Sequence, residues 1–100
     1  MKTFCFDIDE TICHTQGTDY ENSQPILTRI DQVNNLKLKG NKIIFFTARG
    51  FVSGQDLYDF TYNQLKSWGV NFDELYLGKP AADYYIDDKG SDYFDWFSCE

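Results

Sequence analysis

The sequence predicts a small α/β domain built on a mainly parallel sheet, and three observations carry that prediction. Short apolar runs of strand-forming residues alternate with longer segments of helical periodicity. The segment between the first two runs has the length of the crossover helix that parallel neighbours require. The runs end abruptly in acids or a hydroxyl, as expected where strands open on a ligand crevice at their carboxyl ends.

Residues 3 to 8 read as a buried central strand leading into Asp7-Ile8-Asp9-Glu10-Thr11. Asp7 and Asp9 alternate with Phe6 and Ile8, so a continuing strand would place both carboxylates on one face. The polar, aperiodic stretch Cys13 to Asn22 reads as a loop over those carboxylates, and its His14 is the sole histidine. Ser23 and Pro25 read as a helix start. Ile26, Leu27, Ile30, Val33 and Leu36 follow at helical spacing until Gly40 stops the helix.

Lys42 to Thr47 is the second apolar strand, and Ala48-Arg49-Gly50 turns the chain. From Gln55 to Trp68 the spacing of Leu57, Phe60, Thr61, Leu65 and Trp68 gives a second amphipathic helix, stopped by Gly69. Leu75 to Leu77 is a short third strand, Gly78-Lys79-Pro80 a turn that presents a lysine, and Tyr84 to Ile86 a strand running into Asp87 and Asp88. The link from 77 to 84 reaches at most ~24 Å, enough to step over one or two strands as a loop but not to hold a helix. One sheet face is therefore short of cover, and the aromatic tail Tyr93 to Phe97 is the candidate to supply it, within this chain or across a dimer. The arrangement is a minimal Rossmann-like three-layer sandwich, with residues 1–100 forming a single domain.

Composition excludes several function classes. With 42% hydrophobic and 18% aromatic residues the chain has the material for a core despite its length. A formal charge of -7 speaks against a nucleic-acid partner, whose affinity rests on Lys and Arg. No apolar run has the length of a membrane span and no secretory leader is present, which predicts a soluble, cytoplasmic protein without a membrane partner. Cys5, Cys13 and Cys99 are odd in number and show no C-x-x-C spacing, as suits free thiols in a reducing compartment.

The strand ends and the lysine turn together offer Asp7 and Asp9, Thr47, Lys79, and Asp87 and Asp88. Unpaired carboxylates close together repel, and a hard, oxygen-liganded cation such as Mg²⁺ relieves that repulsion. Such a set suits a phosphate: acids hold the metal, metal and Lys79 neutralise phosphoryl oxygens, Thr47 donates a hydrogen bond, and one Asp remains to attack phosphorus. Arg49 has two readings, a grip on the same phosphate or an ion pair with a surface carboxylate.

These residues resemble the haloacid dehalogenase superfamily of phosphotransferases. Its first motif, D-x-D-x-T after an apolar strand, is similar to Asp7 through Thr11; its strand-end Thr or Ser to Thr47; its Lys to Lys79; its acidic pair to Asp87-Asp88. All four occur in order. The resemblance implies a Rossmann-like core, Asp7 as nucleophile through an aspartyl-phosphate, and Asp9 as acid and then base. It further implies Mg²⁺ held by the Asp7 carboxylate, the Asp9 backbone carbonyl and Asp87, with Asp88 or Asp92 completing the set.

Departures from the pattern narrow the reading. Many members carry Gly where Glu10 stands, and Asp-Glu-Thr is similar to the protein-serine phosphatases of the superfamily. The segments 12–24 and 47–79 are too short for the cap domain that most members use. The chain thus resembles capless phosphatases of capsule and surface-polysaccharide synthesis. The implied substrate is a small phosphorylated metabolite such as a sugar phosphate, with a large substrate or a second subunit of a homo-oligomer closing the site. Two other readings stand beside it: a protein phosphatase, and a non-catalytic phosphoacceptor like a receiver domain.

Overall fold

The structure, a computed structural model, describes residues 1–50 and 54–77 and the backbone of 84–86. The elements are β1 (Thr3–Asp7), β2 (Cys13–His14), β3 (Gln24–Pro25), α1 (Leu27–Leu38), β4 (Lys42–Thr47), α2 (Tyr58–Ser67), β5 (Glu74–Leu77) and β6 (Tyr84–Ile86), with a 3₁₀ turn at Tyr20–Asn22. The main sheet has the order β5-β4-β1-β6 with every pairing parallel. The α/β Rossmann-like sandwich expected from the sequence is the fold observed.

Its handedness follows from the strand order. From β1 to β4 to β5 the chain steps in one direction, and right-handed crossovers then place both helices on one face. Accordingly Phe4, Phe6, Ile43 and Phe45 pack with Ile30, Val33 and Leu36 of α1 and Leu65 of α2 in one cluster. Alternation along the strands sends Cys5, Ile44 and Phe46 into a separate buried cluster. The link back to β6 passes two strands, since β4 and β1 lie between β5 and β6. The tail expected to cover the second face lies outside the described residues.

Two boundaries differ from expectation for physical reasons. The segment 13–22 is only partly a loop, because Cys13 pairs with Pro25 and His14 with Gln24 to form a small antiparallel flap. That flap recruits the predicted helix start. Ser23 is buried with its hydroxyl 2.6 Å from Thr15 Oγ1, Pro25 sits in β3, and α1 begins at Leu27 with no side-chain cap. Leu27, expected on the apolar face, is exposed. Likewise α2 starts at Tyr58 rather than Gln55, because the Asp56 carboxylate accepts the Tyr58 N–H and closes a local turn first. Gly40 ends α1 at φ +92°, a left-handed value that suits glycine at this position. Among the described residues no helix is long and apolar enough to cross a membrane.

Asp73 fastens the layers together. Its Oδ1 accepts Lys37 Nζ of α1 at 2.6 Å and its Oδ2 accepts the Ile43 N–H of β4 at 2.7 Å. Burial pushes the Asp73 carboxyl up, but the Lys37 and Ile43 bonds outweigh it and hold the group below its usual range. A depressed folded pKa contributes stability above the unfolded value and loses it as pH falls through the folded one. Asp73→Asn is therefore expected to lower stability at neutral pH and to flatten the loss between neutrality and about pH 2.5, measured by urea denaturation across that range.

Candidate functional site

The site starts from strand pairing. In the β1–β4 ladder Asp7 lies opposite Phe46, so Asp7 and Thr47 leave the sheet at the same carboxyl edge. Both line a cleft of about 720 Å³, with Ala48, Arg49 and Gly50 from the following turn and Gln55 and Asp56 from the approach to α2. Asp7 is half-buried, and its Oδ1 accepts the Ile8 N–H at 2.8 Å. Thr47 is buried; its hydroxyl oxygen accepts the Arg49 N–H at 3.0 Å, which leaves the hydroxyl proton to be donated elsewhere. Gly50 shapes the wall at φ +82°, and a Cβ there would run into the Gln55 carbonyl.

Asp9 does not continue β1 onto the same face as Asp7. The strand stops at Asp7, and the chain turns back so that Asp9 bridges Cys13. Glu10 makes the turn in the left-handed region at φ +62°. Its carboxylate compensates by accepting the Thr15 N–H at 2.7 Å and contacting His14 Nδ1 at 3.2 Å. The Thr15 N–H and then His14 hold Glu10 below the usual carboxylate range. His14 is itself exposed, and Glu10 is its ion-pair partner.

Of the two roles open to Arg49, the structure has the ion pair, and the partner is Asp9. Arg49 Nε donates to Asp9 Oδ2 at 3.0 Å and Nη2 to Asp9 Oδ1 at 2.7 Å, a bidentate fork. The Arg49 side chain is wholly buried while that of Asp9 is 26% exposed. Nη1 donates to Gln64 Oε1 at 2.7 Å and lies 3.4 Å from Thr61 Oγ1, and the guanidinium sits 4.6 Å from the centre of the Tyr20 ring. Gln64 Nε2 in turn donates to the Tyr20 carbonyl at 2.6 Å. Asp9 Oδ1 also accepts the Thr15 hydroxyl at 2.6 Å, so the open capacity of this carboxylate is on Oδ2.

Thr15, Thr61 and Gln64 are the supporting residues that sequence reasoning missed. Thr61 in an otherwise apolar helical stripe, with Gln64 three residues on, was the available signal. Cys13 is in no disulfide, as expected. Burial pushes the Cys13 thiol up to about 11, so it stays protonated at neutral pH and packs 3.7 Å from Asp9 Oδ1. Lys79, Asp87, Asp88 and Asp92 lie outside the described residues. Among the described residues no group of three or more metal-ligating side chains is assembled.

No family model matches the chain, and no curated protein matches it. Solved structures do. A crystal structure of a target protein from Vibrio cholerae superposes with TM-score 0.77 at 27% identity, over 98% of this chain and 89% of that one. A conserved protein from Bacteroides thetaiotaomicron superposes with TM-score 0.72 at 20% identity, over 97% of this chain and 87% of that one. Both similarities extend over nearly the whole length, so the fold is shared throughout.

Two outcomes test this geometry. Arg49→Met strands the Asp9 carboxylate and is expected to cost about 2–4 kcal/mol, less than the full penalty of a broken buried pair because Asp9 is partly exposed. Adding Asp9→Asn should recover part of it in a double-mutant cycle followed by urea denaturation. Glu10→Gly trades backbone strain for two lost hydrogen bonds and should leave stability within about 1 kcal/mol in the same assay.

Proposed function

We propose that the chain is a Mg²⁺-dependent phosphomonoester hydrolase that works through an aspartyl-phosphate on Asp7. One observation carries the reading: parallel pairing of β1 and β4 delivers a carboxylate and a buried hydroxyl to one cleft, whose lining also includes Arg49, the buried arginine that fixes Asp9. A purely structural sheet edge has no need of that combination.

The donor set suits a hard cation. Asp7 offers carboxylate oxygens, Cys13 is held as a thiol, the Asp9 carboxylate is engaged by Arg49, and the family resemblance assigns the Asp9 backbone carbonyl to the metal. β6 runs beside β1 with Ile86 opposite Phe6, and Asp87 and Asp88 follow Ile86 in the sequence. Asp7, the Asp9 carbonyl and Asp87, with Asp88 or Asp92, would hold Mg²⁺, which when bound neutralises charge on the phosphoryl oxygens.

In the first step an Asp7 oxygen forms a bond to phosphorus as the ester P–O bond breaks, and Asp9, having taken up a proton on Oδ2 beforehand, passes it to the leaving oxygen. In the second, water attacks phosphorus, Asp9 takes its proton, and the Asp7–phosphorus bond breaks to release inorganic phosphate. Asp9 Oδ2, with capacity beyond the Arg49 bond, is the atom suited to this traffic. Thr47 donates its hydroxyl hydrogen to a phosphoryl oxygen, and Lys79 supplies a further positive charge.

A small metabolite such as a sugar phosphate, in surface-polysaccharide synthesis, fits better than a phosphoprotein. Thr18 to Glu21 of the flap and Ala48 and Gly50 of the turn after β4 line one cavity, which adds a wall beside the site. The buried thiol of Cys13, in no disulfide, accords with a cytoplasmic location.

The test is Mg²⁺-dependent phosphate release from sugar phosphates, nucleotides and phosphopeptides. Asp7→Asn is expected to lose at least about 10³-fold in kcat and Asp9→Asn about 10²–10⁴-fold, with activity abolished by a chelator. Single labelling by a small phosphodonor, without release from any substrate, would replace the hydrolase with a phosphoacceptor of the receiver kind.

A further inference from the structure

A second cavity adjoins the cleft. It measures about 400 Å³ and lies between the flap, through Asp19, Tyr20 and Glu21, and the approach to α2, through Leu57 and Phe60. Ala48, Gly50 and Gln55 line both spaces, so the cavity shares a wall with the cleft that holds Asp7 and Thr47. We propose that it is the subsite for the part of the substrate that departs with the leaving oxygen. Its occupant is a hydroxyl-bearing group of monosaccharide size, uncharged or cationic, and a second phosphate or carboxylate on the substrate is rejected. The proposal rests on the phosphomonoesterase reading above.

Size comes first. Ligand sites span roughly 300–1,000 Å³, and this cavity sits at the small end of that range. Wall chemistry comes next. Tyr20, Leu57 and Phe60 offer apolar and aromatic surface of the kind that covers the C–H face of a ring, while Asp19 and Glu21 are acceptors for hydroxyl or ammonium donors.

Charge decides the class. Asp19 and Glu21 are exposed acids, and the described lining of this cavity contains no lysine or arginine. Arg49, the cation nearest in sequence to the shared turn, is wholly buried and bound to Asp9 and Gln64. The cavity therefore sets like charge against a second anion, and like-charge juxtaposition is a strong means of exclusion. The wall is also anchored, because the Tyr20 carbonyl is held by Gln64 of α2.

The experiment compares kcat/KM, with Mg²⁺ present, for a hexose 6-phosphate, a hexosamine 6-phosphate, a hexose 1,6-bisphosphate and p-nitrophenyl phosphate. The wild type is expected to favour both monophosphates over the bisphosphate by at least about tenfold. Glu21→Lys should bring that ratio towards one. Asp31→Lys makes the same change of charge on the exposed side of α1, away from the cavity, and should leave the ratio as it was. An unchanged ratio in Glu21→Lys, or equal falls in both variants, overturns the subsite while p-nitrophenyl phosphate turnover keeps the hydrolase standing. Absence of turnover on every probe removes the hydrolase reading and the subsite with it.

Discussion

Parallel pairing of Thr3–Asp7 with Lys42–Thr47 is the constraint on which the rest of the molecule depends. It fixes the register that brings Asp7 and Thr47 to one edge. It requires a crossover, which α1 supplies, and with the onward step to Glu74–Leu77 it sends both helices to one face. The buried run Ile43 to Thr47 is apolar up to its last residue because a parallel strand is covered on both faces. A slip of one residue would reverse those faces and carry Thr47 away from the cleft. Core packing and site geometry thus share one determinant.

Where the sheet ends, Arg49 takes over. A wholly buried guanidinium needs compensation, and here it is surrounded by it: two bonds to Asp9, one to Gln64, a near contact with Thr61 and the face of Tyr20. Those partners come from the exit of β1, from α2 and from the flap. The arginine therefore converts three separate segments into one rigid frame around Asp9. Replacement by lysine would keep the charge and lose the fork that makes this geometry specific.

Most of the fold was legible because strand-length apolar runs and helical stripes are local signals, and here they agree with the tertiary arrangement. Lys42–Thr47 was read to the residue. What misled was a competition that no local pattern reveals. Ser23 and Pro25 have the chemistry of a helix start, yet pairing with Cys13 and His14 and a hydrogen bond to Thr15 claims them for the flap. For the site, the acids and Thr47 announced themselves at strand ends. The partner of Arg49 did not, since 40 residues separate it from Asp9 and either an anion or a carboxylate satisfies an arginine equally well on paper. Gln64 was harder still, because a polar residue on a helix reads as solvent-facing until its buried partner is known.

The flap is where these contacts meet. Its base is Glu10 in a left-handed conformation held by bonds to Thr15, and its far side is the 3₁₀ turn whose Tyr20 carbonyl is bound by Gln64. The same glutamine receives Arg49, which holds Asp9. On the proposed reading, the wall that selects the leaving group and the carboxyl that protonates it are therefore connected through two side chains. A chain with no inserted cap between Thr47 and the end of β5 has no room for a domain that closes over substrate. On the same reading, a short hairpin braced against α2 performs the positioning part of that task at small cost in length.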